Sequence, residues 1–571
     1  MNLAGSRKRF GIFLGTARNR SASVFFALSF FVLLNFRNAL DIAGQTNIPT
    51  EPIPNRIYAG DKVCQPCHPA IYENYRKTAM ARASGPAAGN LIPGEFIHTP
   101  SRVQYQVLEE SGRAWLSFDR EGADAIHGRR ELLYFIGSGT RGRTYIFADD
   151  GFFFESPINW YGQKRLWDMT PGYRSAQHMP LNLPLAASCL ECHTSSPQVP
   201  VAGTENRYAM PIISQEGIGC ERCHGPGGNH ATNHGAIINP DKLLPARRDA
   251  VCMQCHLEGN VAVQQPGRGL NQFRPGEDLQ NYVHYFVVSG DARDLRAASQ
   301  FEALWQSKCK RKSGDSLSCT TCHDPHYSPP PSEKTAYYRQ KCMTCHNLSF
   351  TNKHHKSNPD CISCHMSPVQ SADVAHTQAT DHRIPRHPGE TMVAVLTEQS
   401  RALKRFPPLD AKLDDRDLAL AEEYIAPRLA VVGEREKSLR KALSEVPNDP
   451  ELLTDMGFLY QTEGKLQEAR QLYERALRVE PLETDAAANL GVISAQAGNL
   501  QEAVQLWEGA FQREPSNIAI GMNLSKVLWQ EGQKAKAREE IKRVLEFNPD
   551  LPEAEKLLQQ WSKQSSDSLQ H

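Results

Sequence analysis

The sequence predicts a mainly α protein: a loop-rich N-terminal region with a small antiparallel β insert, then an α-solenoid. Three observations carry this. Between residues 57 and 390, Cys-x-x-Cys-His recurs seven times among turn-forming Gly and Pro. Within that region, residues 101–160 alternate apolar and polar side chains and contain no cysteine. Beyond it, Pro447, Pro481, Pro515 and Pro549 mark a repeat of 34 residues. At 571 residues two or more domains are expected, and a formal net charge of zero offers no basic field for nucleic acid.

The chain opens with a basic stretch, Arg7, Lys8 and Arg9, then Arg18 and Arg20. Residues 21–36, SASVFFALSFFVLLNF, are uncharged and mostly apolar. That run falls short of the roughly 20 residues a spanning helix needs. LDIAG, residues 40–44, offers small-residue cleavage after Ala43. Residues 1–43 therefore read as a signal peptide, with a membrane anchor as the alternative. Either one places the rest in the periplasm or another extracytoplasmic space. No cysteine precedes Cys64, which excludes a lipid attached at the signal.

The seven units are Cys64-Gln-Pro-Cys67-His68, Cys189-Leu-Glu-Cys192-His193, Cys220-Glu-Arg-Cys223-His224, Cys252-Met-Gln-Cys255-His256, Cys319-Thr-Thr-Cys322-His323, Cys342-Met-Thr-Cys345-His346 and Cys361-Ile-Ser-Cys364-His365. They take up all but one of the 15 cysteines. This spacing is the attachment signature of haem c. Each thiol adds to one vinyl group of the porphyrin, and the adjacent His becomes the proximal iron ligand. Zinc half-sites would not all carry His in the same place, and disulfides need no His. Seven covalent haems, each with its iron, are thus expected in 57–390. That leaves little protein per cofactor, so porphyrin should supply much of the apolar core. GPGG at 225–228 and SPPPSEK at 328–334 read as turns and linkers.

The β insert, about 101–160, reads as hairpins around Ser111-Gly112 and Asp150-Gly151. Packing is its expected role, ahead of docking a partner or covering a haem. Thirteen histidines remain beyond the proximal seven. His571 is at the tail. His178, His230, His326 and His382 are the preferred distal iron ligands. His98, His284 and His376 come next. His127, His234, His354, His355 and His387 read as surface. Two ligands per iron would make every haem low-spin, able to pass electrons but not to bind substrate. Met80 ends a short helical stretch after unit one; it reads as packing, with ligation as the alternative. Cys309 stands outside every unit, among Lys308, Lys310, Arg311 and Lys312, which should favour its thiolate; it reads first as an inert free thiol or an intermolecular disulfide, with ligation of an iron or contact with a sulfur or anionic substrate as the alternative.

Residues 391–413 read as a linker. From 448 the chain repeats a helix-turn-helix unit, with Gly464, Gly498 and Gly532 at the turn and Ala469, Ala503 and Ala537 where helices cross closely. This is the tetratricopeptide pattern. Residues 414–446 read as a degenerate first repeat and 552–564 as the capping helix, giving a repeat domain over 414–565.

The phrases YAGDKVCQPCHPAIYENYRKTAM, GIGCERCHGPGGNH, LSCTTCHDPHYSP and CISCHMSP with TDHRIPR resemble exported multihaem c-type cytochromes with a cytochrome c-552/4-like domain. The resemblance covers about 57–390. It implies bis-His electron transfer through closely packed haems, and supports His230, His326 and His382 as distal ligands. Two departures stand out. Met80 occupies a segment where tetrahaem members often carry His, and the Cys-x-x-Cys-Lys unit of nitrite-reducing relatives is missing. The expected function is an exported seven-haem electron relay whose repeats dock a redox partner. The alternative is an oxidoreductase with one open haem acting on a small nitrogen or sulfur compound.

Overall fold

The computed structural model describes residues 58–122, 124–288, 295–346, 359–387, 402–407, 414–426 and 435–567. The expected signal or anchor at 1–43, and His354 and His355, lie outside these residues.

An antiparallel sheet dominates the first third of the described chain. Its strands are β1 (Ser84–Pro86), β2 (Gly94–His98), β3 (Val103–Glu110), β4 (Arg113–Arg120), β5 (Ile126–Ile136), β6 (Gly142–Asp149), β7 (Phe152–Tyr161) and β8 (Leu166–Met169). They run in the order β2-β3-β4-β5-β6-β7-β8, with β1 added to β5. Alternation does what the sequence implies. Val103, Tyr105 and Val107 face the core beside Leu116 and Phe118, while Gln104 and Gln106 face out. Ser111-Gly112 and Asp150-Gly151 all take positive φ, 54° and 74°, then 48° and 78°. That is the two-residue turn whose twist matches paired strands.

The insert is larger than 101–160 and is not small. It gains β1, β2 and β8, which are too short to show alternation. The sheet also curls. A Cβ at Gly94 in β2 would lie 2.4 Å from Trp167 Nε1 in β8, so the two ends meet and only glycine fits between them.

A second sheet joins β9 (Val261–Gln264), β10 (Val283–Val288) and β13 (Leu403–Phe406), in the order β13-β10-β9; β11 (Pro368–Gln370) and β12 (Gln378–Thr380) form a separate pair. Strand β13 falls inside the stretch read as a linker. Four residues, two of them Lys404 and Arg405, followed by Pro407 gave no strand signal.

The C-terminal part is the expected solenoid. Helices Asp415–Ile425 and Arg435–Glu445 form the first pair. Pro450–Thr462 with Leu466–Val479, Thr484–Gln496 with Leu500–Arg513, and Ile518–Gln530 with Lys534–Phe547 follow, and Pro552–Asp567 caps the array. Gly464, Gly498 and Gly532 have φ of 79°, 84° and 79°, the left-handed conformation that ends each first helix. Ala469, Ala503 and Ala537 are fully buried at the crossings. Trp529 stacks on Trp561 of the capping helix at 4.6 Å.

Both ends of the solenoid are tied to the rest. At the start, Ala419 and Leu420 share a core with Val263, Phe286 and Leu403 of the second sheet. At the end, Phe547 enters the core of the first sheet, and its carbonyl accepts from Leu181 N–H at 2.9 Å. Beside it, Arg120 donates two 2.9 Å bonds to Asp550, both side chains being under 9% exposed.

Candidate haem-binding cavity

The seven units converge on one cavity of about 3150 Å³. A pocket for a single small ligand holds about 300–1,000 Å³, so this space suits several large groups. All seven motif histidines line it, with every motif cysteine except Cys364. Several units sit on short helices, such as Ala187–His193, Cys319–Cys322 and Cys361–His365. One helical turn puts cysteines three apart on one face, as two thioethers to one porphyrin require.

The units also lie close together. Cys64 meets Cys220, Cys192 meets Cys255, Cys252 meets Cys319, and Cys342 meets Cys361. Cys223 lies near Cys255, and Cys322 near Cys345. Among the described residues no three motif Cys or His side chains converge as a zinc site requires; the one such group of three, Asp119, Glu121 and His127, is exposed.

The strongest geometric sign is in the histidines. His68 and His230 have ring centroids 6.4 Å apart and planes within 10°. His224 and His326 are 5.8 Å apart and within 8°. His323 and His382 are 6.1 Å apart at 30°. Imidazoles bound on opposite faces of one metal, each through a nitrogen at about 2 Å, have centroids about 6 Å apart. Each pair joins a motif His to one of the preferred distal candidates. Direct ring stacking would bring the planes much closer, so these pairs fit an iron between them.

Hydrogen bonds fix which nitrogen faces that space. Nδ1 of His224 donates to Ile238 O at 2.8 Å, of His230 to Gly235 O at 2.8 Å, of His365 to Pro385 O at 2.8 Å and of His382 to Thr380 O at 2.9 Å. His256 Nδ1 bonds Gln300 Oε1 at 3.0 Å. Nε2 is left for a metal. Burial pushes His193 down to about 4; burial, then the charges of His382 and His256, do the same to His323. Neutral imidazole is the form that binds iron.

Other candidates fall elsewhere. His178 does not line the cavity; it is 59% exposed and faces Asp550 at 3.4 Å. His98 bonds Ser101, His284 bonds Asp417 and Arg405, and His376 bonds Asp168. His234 and His387, read as surface, line the cavity. His234 carried a signal: it lies four residues after His230, one helical turn on. Helix Pro69–Tyr75 stops before Met80, which still lines the cavity. Cys309 lines it too, but burial, and after it the charge of Cys345, raises its pKa.

The first sheet also forms part of the wall, through Ser138, Arg141, Thr144, Glu155 and Asn159 among others. Packing is therefore not its whole role. Burial pushes the Glu155 carboxyl up to about 7.

Family models match parts of the chain. "Cytochrome c554 and c-prime" matches residues 169–225 and "Doubled CXXCH motif" matches 312–350. "Tetratricopeptide repeat" matches 454–518 and 494–561. Multiheme cytochrome MtrA of Shewanella baltica (strain OS185) is 25% identical over 177 residues, covering 28% of this chain and 52% of its own. The chain thus spans about half the length of that curated relative. Solved structures of MamA AMB-1 (20% identity, 27% of this chain and 81% of that one, TM-score 0.24) and MamA 41-end from Desulfovibrio magneticus RS-1 (19%, 28% and 89%, 0.25) are similar. With the cavity and the paired histidines, the family-model matches and the MtrA match support a multihaem c-type cytochrome followed by tetratricopeptide repeats.

Proposed function

We propose that this chain is an exported seven-haem cytochrome that relays single electrons through bis-His irons and docks its redox partner through the helical repeats. The observation that carries this is the set of three histidine pairs at the separation of trans iron ligands. When bound, haem c supplies one-electron iron chemistry.

The chain's own residues do the rest. The cysteines anchor, and the backbone carbonyls at Ile238, Gly235, Pro385 and Thr380 hold ligand rings in one tautomer. Thiol proximity orders the units: one to three, three to four, four to five, five to six and six to seven, with two meeting four. That is a continuous path with a branch at unit four. Export follows from the basic and apolar N-terminus and from haem c being attached outside the cytoplasm. Among the described residues no helix is long and apolar enough to cross a membrane.

A second reading has its own observation. The sheet lines the cavity beside Cys189, where Glu155 lies 3.5 Å from the sulfur, and it contributes no histidine to the wall. An open haem acting on a small nitrogen or sulfur compound would belong there. Low-temperature EPR of the purified, fully loaded ferric protein decides. Low-spin signals from every haem support the relay; one high-spin haem moves the assignment to the oxidoreductase.

A further inference from the structure

The hairpin between β5 and β6 projects Arg141 into the cavity wall. The loop is held firmly. Gly137 and Gly139 take φ of 91° and 83°, and a Cβ at Gly137 would lie 2.4 Å from Gly142 O. Gly139 N–H donates to Gly142 O at 3.1 Å, and Gly162 N–H to Arg141 O at 2.8 Å. The guanidinium carries five donors. One of them, on Nη1, reaches Ala297 O at 3.2 Å. Among the described residues no carboxylate pairs with it. Asp373, which bonds Ala297 N–H at 2.9 Å, otherwise takes the Ser371 hydroxyl. Burial accordingly lowers the Arg141 pKa with no anion to restore it.

Its position relative to the irons follows from hydrogen bonds. Ala297 O also accepts from Gln300 Nε2 at 2.7 Å, and Gln300 Oε1 bonds His256 Nδ1 at 3.0 Å. Arg141 is therefore linked to the proximal histidine of unit four through one carbonyl and one amide side chain. Its charge also reaches His382, the partner of His323 in unit five. A planar, permanently charged fork in a desolvated wall calls for a carboxylate of matching geometry. Haem brings such groups as its propionates.

We propose that Arg141 is the propionate-binding cation of the haem at Cys252-Cys255-His256, delivered by the β-sheet to the branch of the electron path. This rests on the haem-loaded reading above. A bound cation near an iron disfavours the ferric state, so Arg141 holds that haem's potential up. For a unit charge about 10 Å away at an effective dielectric of about 20, the reduction equilibrium moves on the order of tenfold, or about 59 mV for one electron.

The test is a potentiometric titration of the loaded wild type, Arg141→Gln and Arg141→Lys, followed by EPR and visible spectra, with haem counted by pyridine haemochrome. With the full haem count, Arg141→Gln should lower the midpoint of one haem about tenfold in equilibrium constant. Arg141→Lys, which keeps the charge, should recover most of it. Unchanged midpoints in Arg141→Gln at full haem count would overturn the assignment while leaving the relay intact. A low haem count in the wild type would instead count against the loaded reading. If Arg141→Gln does not mature, an experimental structure of the loaded wild type decides: a propionate oxygen within hydrogen-bond reach of the guanidinium supports the proposal, and its absence there ends it.

Discussion

His326→Ala tests the histidine pairing directly. His326 lies three residues after His323 but pairs with His224 of another unit, its ring centroid 5.8 Å away and its plane within 8°. Its backbone N–H donates to Asp324 Oδ1 at 2.9 Å, and Tyr75 meets its ring edge-on at 6.4 Å. Among the described residues no other ring pairs with His224. In the bis-His arrangement proposed above, truncation removes one ligand nitrogen from the haem at Cys220-Cys223-His224. One haem in seven should turn from low-spin to high-spin in the ferric EPR spectrum, and its potential should rise, because a neutral donor to the ferric ion is lost. The near-parallel planes of this pair, like those of His68 and His230, also predict rhombic low-spin signals in the wild type, and their summed intensity should fall. His178→Ala is the control. It is exposed and beside Asp550, so the spectrum should not move. If His326→Ala keeps seven low-spin haems, or His178→Ala loses one, the pairing argument is wrong.

Three further outcomes follow. Asp550→Ala leaves the buried Arg120, at the junction of sheet and solenoid, with only the half-exposed Asp124 at 3.4 Å as its anion, which should cost less than the roughly 3–5 kcal/mol of a fully unpaired buried charge; amide exchange at Leu181 and Phe547 should rise, and unchanged protection would sink the idea. In the wild type, burial opposes Asp550 ionisation, but bonds from Arg120 and Met179 N–H more than offset it and lower its pKa; that stabilisation is full above the unfolded carboxylate value of about 3.9 and is lost as pH falls through the folded value. Ala503→Leu overfills a helix crossing with no exposed surface and should cost about 1–3 kcal/mol, read as a lower unfolding temperature of the solenoid with haem content unchanged. Cys309→Ser should leave the haem count intact, and alkylation of Cys309 at pH 8 should be slower than that of free cysteine, since its thiol pKa is raised.

The parts legible in sequence are those set by local chemistry. Cys-x-x-Cys-His, the 34-residue period and the hairpin pairs Ser111-Gly112 and Asp150-Gly151 each need only a few neighbouring residues. What was hidden depends on long-range placement. Strands β1, β2, β8 and β13 are three to five residues long and exist because a partner strand is already there. His178 sits just before unit two in sequence, yet the fold turns it toward residue 550. The lysines around Cys309 suggested a thiolate, but sequence cannot show that the residue is half-buried.

The histidine-rich half also poses a question of stability. Among the described residues, no apolar side chain between Ala303 and Ala375 is buried. Units five, six and seven fall in that span, and the hydrophobic clusters of the sheet and the solenoid do not reach it. Backbone order alone costs roughly 1–2 kcal/mol per residue, and among the described residues of the span the partly buried Trp305, packed on Phe301 and Phe406, offsets little of it. The porphyrin faces are the apolar partners the motif spacing provides, so folding here should be coupled to haem attachment, as metal-dependent domains couple folding to binding. The sheet around Tyr105 and the repeats around Trp507 have their own cores and should not need it. Limited proteolysis of the chain made in a host lacking haem attachment would separate the two. Early cuts between residues 304 and 374, with 84–169 and 450–567 protected, are the expected pattern. Equal protection throughout would mean that the span is held by protein contacts and that haem is a guest in a finished fold.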